Sequence, residues 1–210
     1  MKLTRRLLAL ALINVALLAG CSGLLKSSAG PDRIYVLHAA PAATSGQPLA
    51  AVLSVPRPSM HPGLDTDRIA LLRSGNELDY YAASHFGEPL SKVLLALVLQ
   101  SMGGADGFTT TISTERAGVP SDFELLLTAR RFEAEYAVGG ALPSVEVAIE
   151  CMLITGAPRR VLGRCDGVAS EPVAADRMSE IVLALERATQ RALSEMRTKA
   201  VTLARSVPAK

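Results

Sequence analysis

The chain has 210 residues, 49% of them hydrophobic and 20% charged, with 16 Gly and 12 Pro; this excludes fibrous, collagen-like and fully disordered chains. Tryptophan is absent and aromatics make up only 4%, which argues against a stacking platform for single-stranded nucleic acid. The formal charge of +2 rests on Lys2, Arg5 and Arg6; without the first 20 residues, 19 basic and 20 acidic residues leave −1, so the remainder has no broad electrostatic surface for nucleic acid.

The basic start leads into an apolar run from Leu7 to Leu18, broken only by Asn14. This is the layout of a secretory signal over residues 1–20, and the run is well short of the roughly 20 residues that span a bilayer as a helix. It ends in Leu18-Ala19-Gly20-Cys21, which resembles the lipobox of bacterial lipoproteins. The resemblance implies cleavage before Cys21 and acyl groups (palmitate among them) on its sulfur and new amino group. Two or more acyl chains hold a protein stably on a membrane. Ser22 in place of Asp implies, by the same resemblance, passage to the outer membrane. Residues 21–32, with SGLLKSSAGPD after the cysteine, read as the lipidated residue and a flexible Ser/Gly tether.

Ile34 to Leu37 reads as a first strand, Ala39 to Gln47 as a loop and Leu49 to Val55 as a second strand. Pro56, Pro58 and Pro62 make a turn-rich link. Ile69–Leu72 and Leu78–Ala82 flank Ser74-Gly75-Asn76-Glu77, a hairpin signal. Pro89 suits a helix start, Leu90 to Met102 reads as a buried helix and Gly103-Gly104 ends it. The longest later apolar run, Val93 to Leu99, is too short to span a bilayer.

Phe108 to Thr114 reads as a Thr-rich strand. In Asp122–Tyr136 the apolar parity changes: Phe123, Leu125, Leu127 and Ala129 share one face, Phe132, Ala134 and Tyr136 the other. A period-2 pattern that changes phase implies a bulge, here at Arg130 and Arg131. Val145 to Leu153 alternates as a half-buried strand, and Gly156 to Arg159 turns into a strand from Arg160 to Cys165. Ser170 is the expected cap of a last helix from about Glu171 to Arg205, with Met178, Val182, Leu185, Ala192 and Met196 on its apolar stripe. About eight strands and two helices make a mixed α/β (α+β) fold: residues 33–206 as a single domain, a mostly antiparallel sheet, one central helix and a long C-terminal helix.

No G-x-x-x-x-G-K-[ST], H-E-x-x-H, C-x-x-C or G-x-S-x-G occurs, so no catalytic residue, cofactor or metal is expected. His38, His61 and His85 lie in separate segments. Asp65, Asp67 and Asp79 are candidate metal ligands on paper, but turn-stabilising roles explain Asp65 and Asp67 more simply. The glycine-rich Gly103–Gly107 follows a helix, the reverse of a phosphate cradle. Cys151 and Cys165 share the apolar parity of their strands, and a hairpin centred on Pro158 sets them opposite each other. Opposed Cα atoms lie about 4.5–5.5 Å apart, within disulfide range; two buried free thiols are the alternative.

Tyr35-Val36-Leu37, Asp67-Arg68-Ile69 and above all the stretch Leu78 to Leu90 (LDYYAASHFGEPL) resemble the ABC-type transport auxiliary lipoprotein family, partners of MCE-domain lipid transporters. Phe86 stands where that family often has Trp, keeping an aromatic but losing the indole donor. Tyr80, Tyr81 and Phe86 also suit simple core packing under the helix. The resemblance implies a non-catalytic, periplasm-facing subunit that binds the MCE protein of an intermembrane lipid transporter; the alternative is a structural or envelope-stress outer-membrane lipoprotein with another partner. Self-association, as a homo-oligomer, is left open.

Overall fold

In the strand that organises the sheet, apolar residues alternate, skip one position and alternate again. The computed structural model describes residues 31–41, 44–114 and 119–207; Cys21 and nearly all of the expected tether lie outside them. Asp32–Lys210 forms one unit with strands β1 (Arg33–Tyr35), β2 (Leu49–Val55), β3 (Ser59–Met60), β4 (Arg68–Arg73) and β5 (Glu77–Phe86), then helix α1 (Leu90–Met102). There follow β6 (Phe108–Ser113), β7 (Phe123–Tyr136), β8 (Ser144–Thr155), β9 (Val161–Arg164), β10 (Gly167–Pro172) and helix α2 (Met178–Arg205).

β7 is the spine. One edge pairs antiparallel with β8 from Phe123↔Thr155 to Glu135↔Ser144, with a register shift between Ala129 and Arg131. The expected bulge therefore lies where the parity changes, and Leu125, Ala129, Phe132 and Ala134 are all buried. The other edge of β7 is shared by three parallel neighbours: β2 at its start, β3 in the middle and β4 at its end. β5 pairs antiparallel with β4 and parallel with β1, while β6 pairs parallel with β2. The far edge of β8 takes β10 on one half and β9 on the other, both antiparallel. The longest ladders are antiparallel, and β1 and β6 end the sheet path.

Sequence and structure differ in two places, which together change the strand count. β3 lies inside the Pro-rich link, because one turn between Pro58 and Pro62 is extended enough to pair Ser59 and Met60 with Thr128 and Ala129 of β7. The segment Gly167–Pro172 is a strand, so the expected helix start at Glu171 falls inside it. Its burial alternates, with Gly167 and Ala169 in and Val168 out, a two-residue period that a helix cannot hold. Ser170 is accordingly no cap: its hydroxyl donates to Glu146 Oε1, and α2 starts at Met178 behind Arg177 without a side-chain cap. The sheet thus has ten strands, the short β3 and the separate β10 being the additions.

α2 lies on β8 and β10 through a stripe in which Ala184, Ala188 and Ala192, then Ala200 and Ala204, recur at four-residue spacing among Ile181, Leu185, Leu193 and Met196. Small side chains let the helix approach closely. A Cβ on Gly167 would meet Ala192 O at 2.2 Å and Met196 Cγ at 2.7 Å, so the contact admits no side chain on the strand. Each fully buried Leu, Ile or Met on this face is worth about 1.5–3 kcal/mol. Polar groups fix the helix at several points: Lys199 Nζ donates to Asp166 O at 2.7 Å, Arg205 to Gln47 O at 2.9 Å, and Arg197 pairs with Asp106 at 2.8 Å. Glu195 and Lys199 form the i, i+4 pair at 2.6 Å. Among the described residues no helix is long and apolar enough to cross a membrane.

Cys165 N–H donates to Cys151 O at 2.9 Å, so the two cysteines stand opposite each other, and a disulfide joins them with Cα atoms 4.8 Å apart. The bond holds β9 against β8 at the corner where α2 docks.

Gly167→Ala should lower stability by about 1–3 kcal/mol through overpacking, measured by chemical unfolding. Gly87→Ala, whose Cβ meets only Ile34 Cγ2 at 3.8 Å, should stay within about 0.5 kcal/mol of the parent. Unreduced protein isolated from the envelope should show the tryptic segments of Cys151 and Cys165 joined, and reduction should cost about 3 kcal/mol of stability for a loop of this size. Two free thiols in that sample would contradict the bridge.

Candidate functional site

Three segments far apart in the chain meet at one corner of the sheet. β1 runs beside the end of β5, with Ile34 opposite His85 and Tyr35 opposite Phe86. The Thr66-Asp67 turn joins them: Phe86 N–H donates to Asp67 O at 2.6 Å and Leu90 N–H to Thr66 O at 3.0 Å. Pro89 then caps α1, its extended backbone (φ −52°, ψ 143°) presenting a carbonyl to the N–H groups of Lys92 and Val93. Tyr35-Val36-Leu37, Asp67-Arg68-Ile69 and the Leu78–Leu90 stretch are thus one spatial unit.

β5 reaches this corner through a distortion. Its register with β4 shifts between Arg68↔His85 and Ala70↔Tyr80, and within that gap Ala83 has φ 50°. A non-glycine residue in the left-handed region costs of the order of 1–2 kcal/mol. The twist lets the strand turn Phe86 inward, where it meets Phe132 edge-on with ring centroids 6.3 Å apart.

Between β1 and α1 lies a groove of about 370 Å³. Val36 and Leu37 form one wall, and Val93, Ala96 and Leu97 of α1 the other. Glu88 and Lys92 line it as well and neutralise each other at 3.0 Å. Beside it Ile34 of β1 is 69% exposed and Val36, just past the strand, 62%.

The tyrosines of the Leu78–Leu90 stretch do not line this groove. Tyr80 OH donates to Gly63 O at 2.7 Å, and the Arg68 guanidinium lies 4.3 Å from its ring centroid. Tyr81 OH and Tyr136 OH are 2.9 Å apart, and Tyr136 donates to Asp176 Oδ1 at 2.7 Å. Burial, then the hydrogen bond to Tyr136, pushes the Tyr81 phenol far above its ordinary value, so it stays neutral and serves the fold.

The other polar candidates are dispersed. His38 Nδ1 meets Glu186 at 3.0 Å, His61 Nδ1 lies 3.2 Å from Pro62 O, and His85 stands 3.8–3.9 Å from Asp67 and Asp32. Asp79 accepts the N–H of Tyr80 at 2.7 Å. Among the described residues no group of three or more His, Cys, Asp or Glu could hold a metal ion. Gly107 belongs to a tight turn, where a Cβ would meet Met102 O at 2.1 Å. The face of β7 and β8 away from the helices carries ion pairs: Arg131 with Glu133 at 2.8 Å and Glu135 at 2.6 Å, Arg130 with Glu150 at 2.8 Å. The hydrogen bond from Arg130 holds the Glu150 carboxyl below its usual range.

Sequence reasoning placed the three segments but missed the groove between them. The available signal was the unbroken apolar run Ile34-Tyr35-Val36-Leu37, of which a strand can bury only one parity on one face.

No functionally curated protein matches the chain. The structure is similar to the crystal structure of a Xanthomonas campestris protein, with 21% identity, coverage of 82% of this chain and 97% of that one, and a TM-score of 0.74. It is also similar to that of an uncharacterized protein, with 16% identity, coverage of 85% and 100%, and a TM-score of 0.55. At such identities the likeness speaks for the fold. The sequence model of one family covers residues 35–197, from the groove-lining Tyr35 through most of α2, and the chain therefore belongs to the family of the ABC-type transport auxiliary lipoprotein component.

Proposed function

We propose that the chain is a non-catalytic, lipid-anchored docking subunit that binds the MCE-domain protein of an ABC-type lipid transporter from the periplasmic side of the outer membrane. Membership of an auxiliary-component family supports a transporter partner. The observation that carries the docking role is the meeting of Tyr35-Val36-Leu37 with Gly87-Glu88 around one apolar groove. The anchor is Cys21, acylated after cleavage of residues 1–20. A tethered domain has a raised effective concentration near anything reaching its membrane, so modest affinity suffices for docking. No side chain in the groove needs to move a proton or attack a bond.

The test is co-purification from detergent-solubilised envelopes, with the parent chain and Cys21→Ser compared. The MCE protein should co-purify with the parent, and Cys21→Ser should lose lipid labelling and leave uncleaved precursor. Deleting this gene should disturb envelope lipids as deleting the MCE gene does, without additive effect. Additive deletions and no co-purification would favour the structural outer-membrane role instead.

A further inference from the structure

We infer that the tip of the β7–β8 hairpin, residues 137–143, dips into the headgroup layer of the bilayer that holds the Cys21 anchor, and so sets which end of the domain faces the membrane. This rests on the lipid anchor proposed above. The first ground is the chemistry of the tip. Residues 136–145 are a run of ten without a charge, and residues 137–142 are all exposed. Val138 is 87% exposed, more than any other large apolar residue among the described residues, and Leu142 is 46% exposed. Ile34, Val161 and Val168 are exposed too, but each has a charged residue within two positions. The turn also satisfies part of its own backbone, Gly140 N–H donating to Ala137 O at 3.0 Å, which lowers the cost of leaving water.

The second ground is the direction from which the chain arrives. β4 runs parallel to β7 with Arg73 opposite Tyr136, so both strands end at the hairpin end of the sheet. β5 leads back from that end, antiparallel to β4, and β1 runs parallel to β5. The chain before Arg33 therefore enters β1 from the hairpin side. Arg33 stands opposite Ser84, next to the His85↔Arg68 pair, and Arg68 lies two residues before the Ala70↔Glu133 pair. The entry is thus about level with Phe132. From Phe132 to Val138, steps of roughly 3.3 Å per residue put the tip about 20 Å beyond the entry. Residues 22–32 number eleven, and a Ser/Gly-type chain of that length spans about 17–20 Å on average. A bilayer at the end of the tether therefore meets the tip. Val36 and Leu37 follow β1 away from that end, so the groove proposed for docking lies farther from the membrane than the chain entry.

The form of the feature suits a lipid surface better than a protein. A stable protein interface takes about 20–30 residues a side, and the tip is one loop of seven. Two apolar side chains are too few to hold a domain on a bilayer, but beside acyl chains they need only orient a domain that is already held there.

The lipidated full-length chain in vesicles of phosphatidylethanolamine and phosphatidylglycerol tests this. A fluorophore is placed on Val138→Cys, with Val161→Cys as the control, an exposed valine opposite Ile154 at the other end of the β7–β8 ladder. Nitroxide-bearing lipids should quench the label at position 138 at least threefold more than the label at 161. Val138→Asp, read by a label on Ala141→Cys, should lower quenching to the level of position 161, and at so exposed a site it should leave the fold intact. In chain that carries acyl groups, equal quenching at 138 and 161, or none at 138, would overturn the inference, as would quenching at 141 that Val138→Asp leaves unchanged. A Cys21 without acyl groups, read by mass spectrometry, would overturn the anchor and this inference with it, and the mass tells that outcome apart from the others.

Discussion

The antiparallel ladder between β7 and β8 is the constraint on which the rest of the domain depends. β7 is fourteen residues long, longer than any one neighbour on its other edge, and β2, β3 and β4 attach there in succession. The apolar residues of β7 change parity between Ala129 and Phe132, so a regular strand could not keep both halves facing inward. The bulge between Ala129 and Arg131 resets the phase, so Phe132 and Ala134 return to the core and the ion pairs of Arg130 and Arg131 stay on the outer face. Without that extra residue, either half of the strand would turn its apolar side chains to solvent.

α2 completes the layer by close approach. The alanine stripe and Gly167 bring helix and strand backbones together, and the Cys151–Cys165 bridge holds the neighbouring corner. The hydrogen bond from Cys151 N–H to Asp166 Oδ1, at 2.8 Å, and that from Lys199 to Asp166 O, at 2.7 Å, tie the same corner to the helix. Burial raises the Asp166 carboxyl, but the Cys151 N–H and the Arg164 guanidinium outweigh it and hold the group ionised below its usual range. One side of the sheet is therefore tightly built, while the corner of β1, β5 and α1 is left partly open.

Much of this was legible in the residues. The parity change at Arg130 is a local signal, and it marked the bulge because a strand has a strict two-residue period. Pro89 and Gly103 bracket α1 for reasons of backbone geometry alone. The start of the last helix was placed too early, at Glu171, because Ser170 and Glu171 resemble a cap followed by an acidic first turn; the deciding fact, that Ser170 and Glu171 pair with Glu146 and Val145 across a ladder, is non-local. β3 escaped for the same reason, since two residues carry no period. The groove was illegible because its walls come from segments about sixty residues apart, and no single segment records that the space between them stays unfilled.

The central claim is that a rigid platform built on the β7–β8 ladder leaves the corner of β1, β5 and α1 open. Hydrogen exchange on the full-length chain in detergent, followed by mass spectrometry, tests it most directly. The account predicts the slowest exchange in the Leu125–Ala129 and Ile149–Leu153 halves of the β7–β8 ladder and in the middle of α2, with the segment from Arg33 to His38 exchanging orders of magnitude faster in the isolated chain. Protection of that segment equal to the β7–β8 ladder in the isolated chain would mean that the corner is already closed, and would contradict the account.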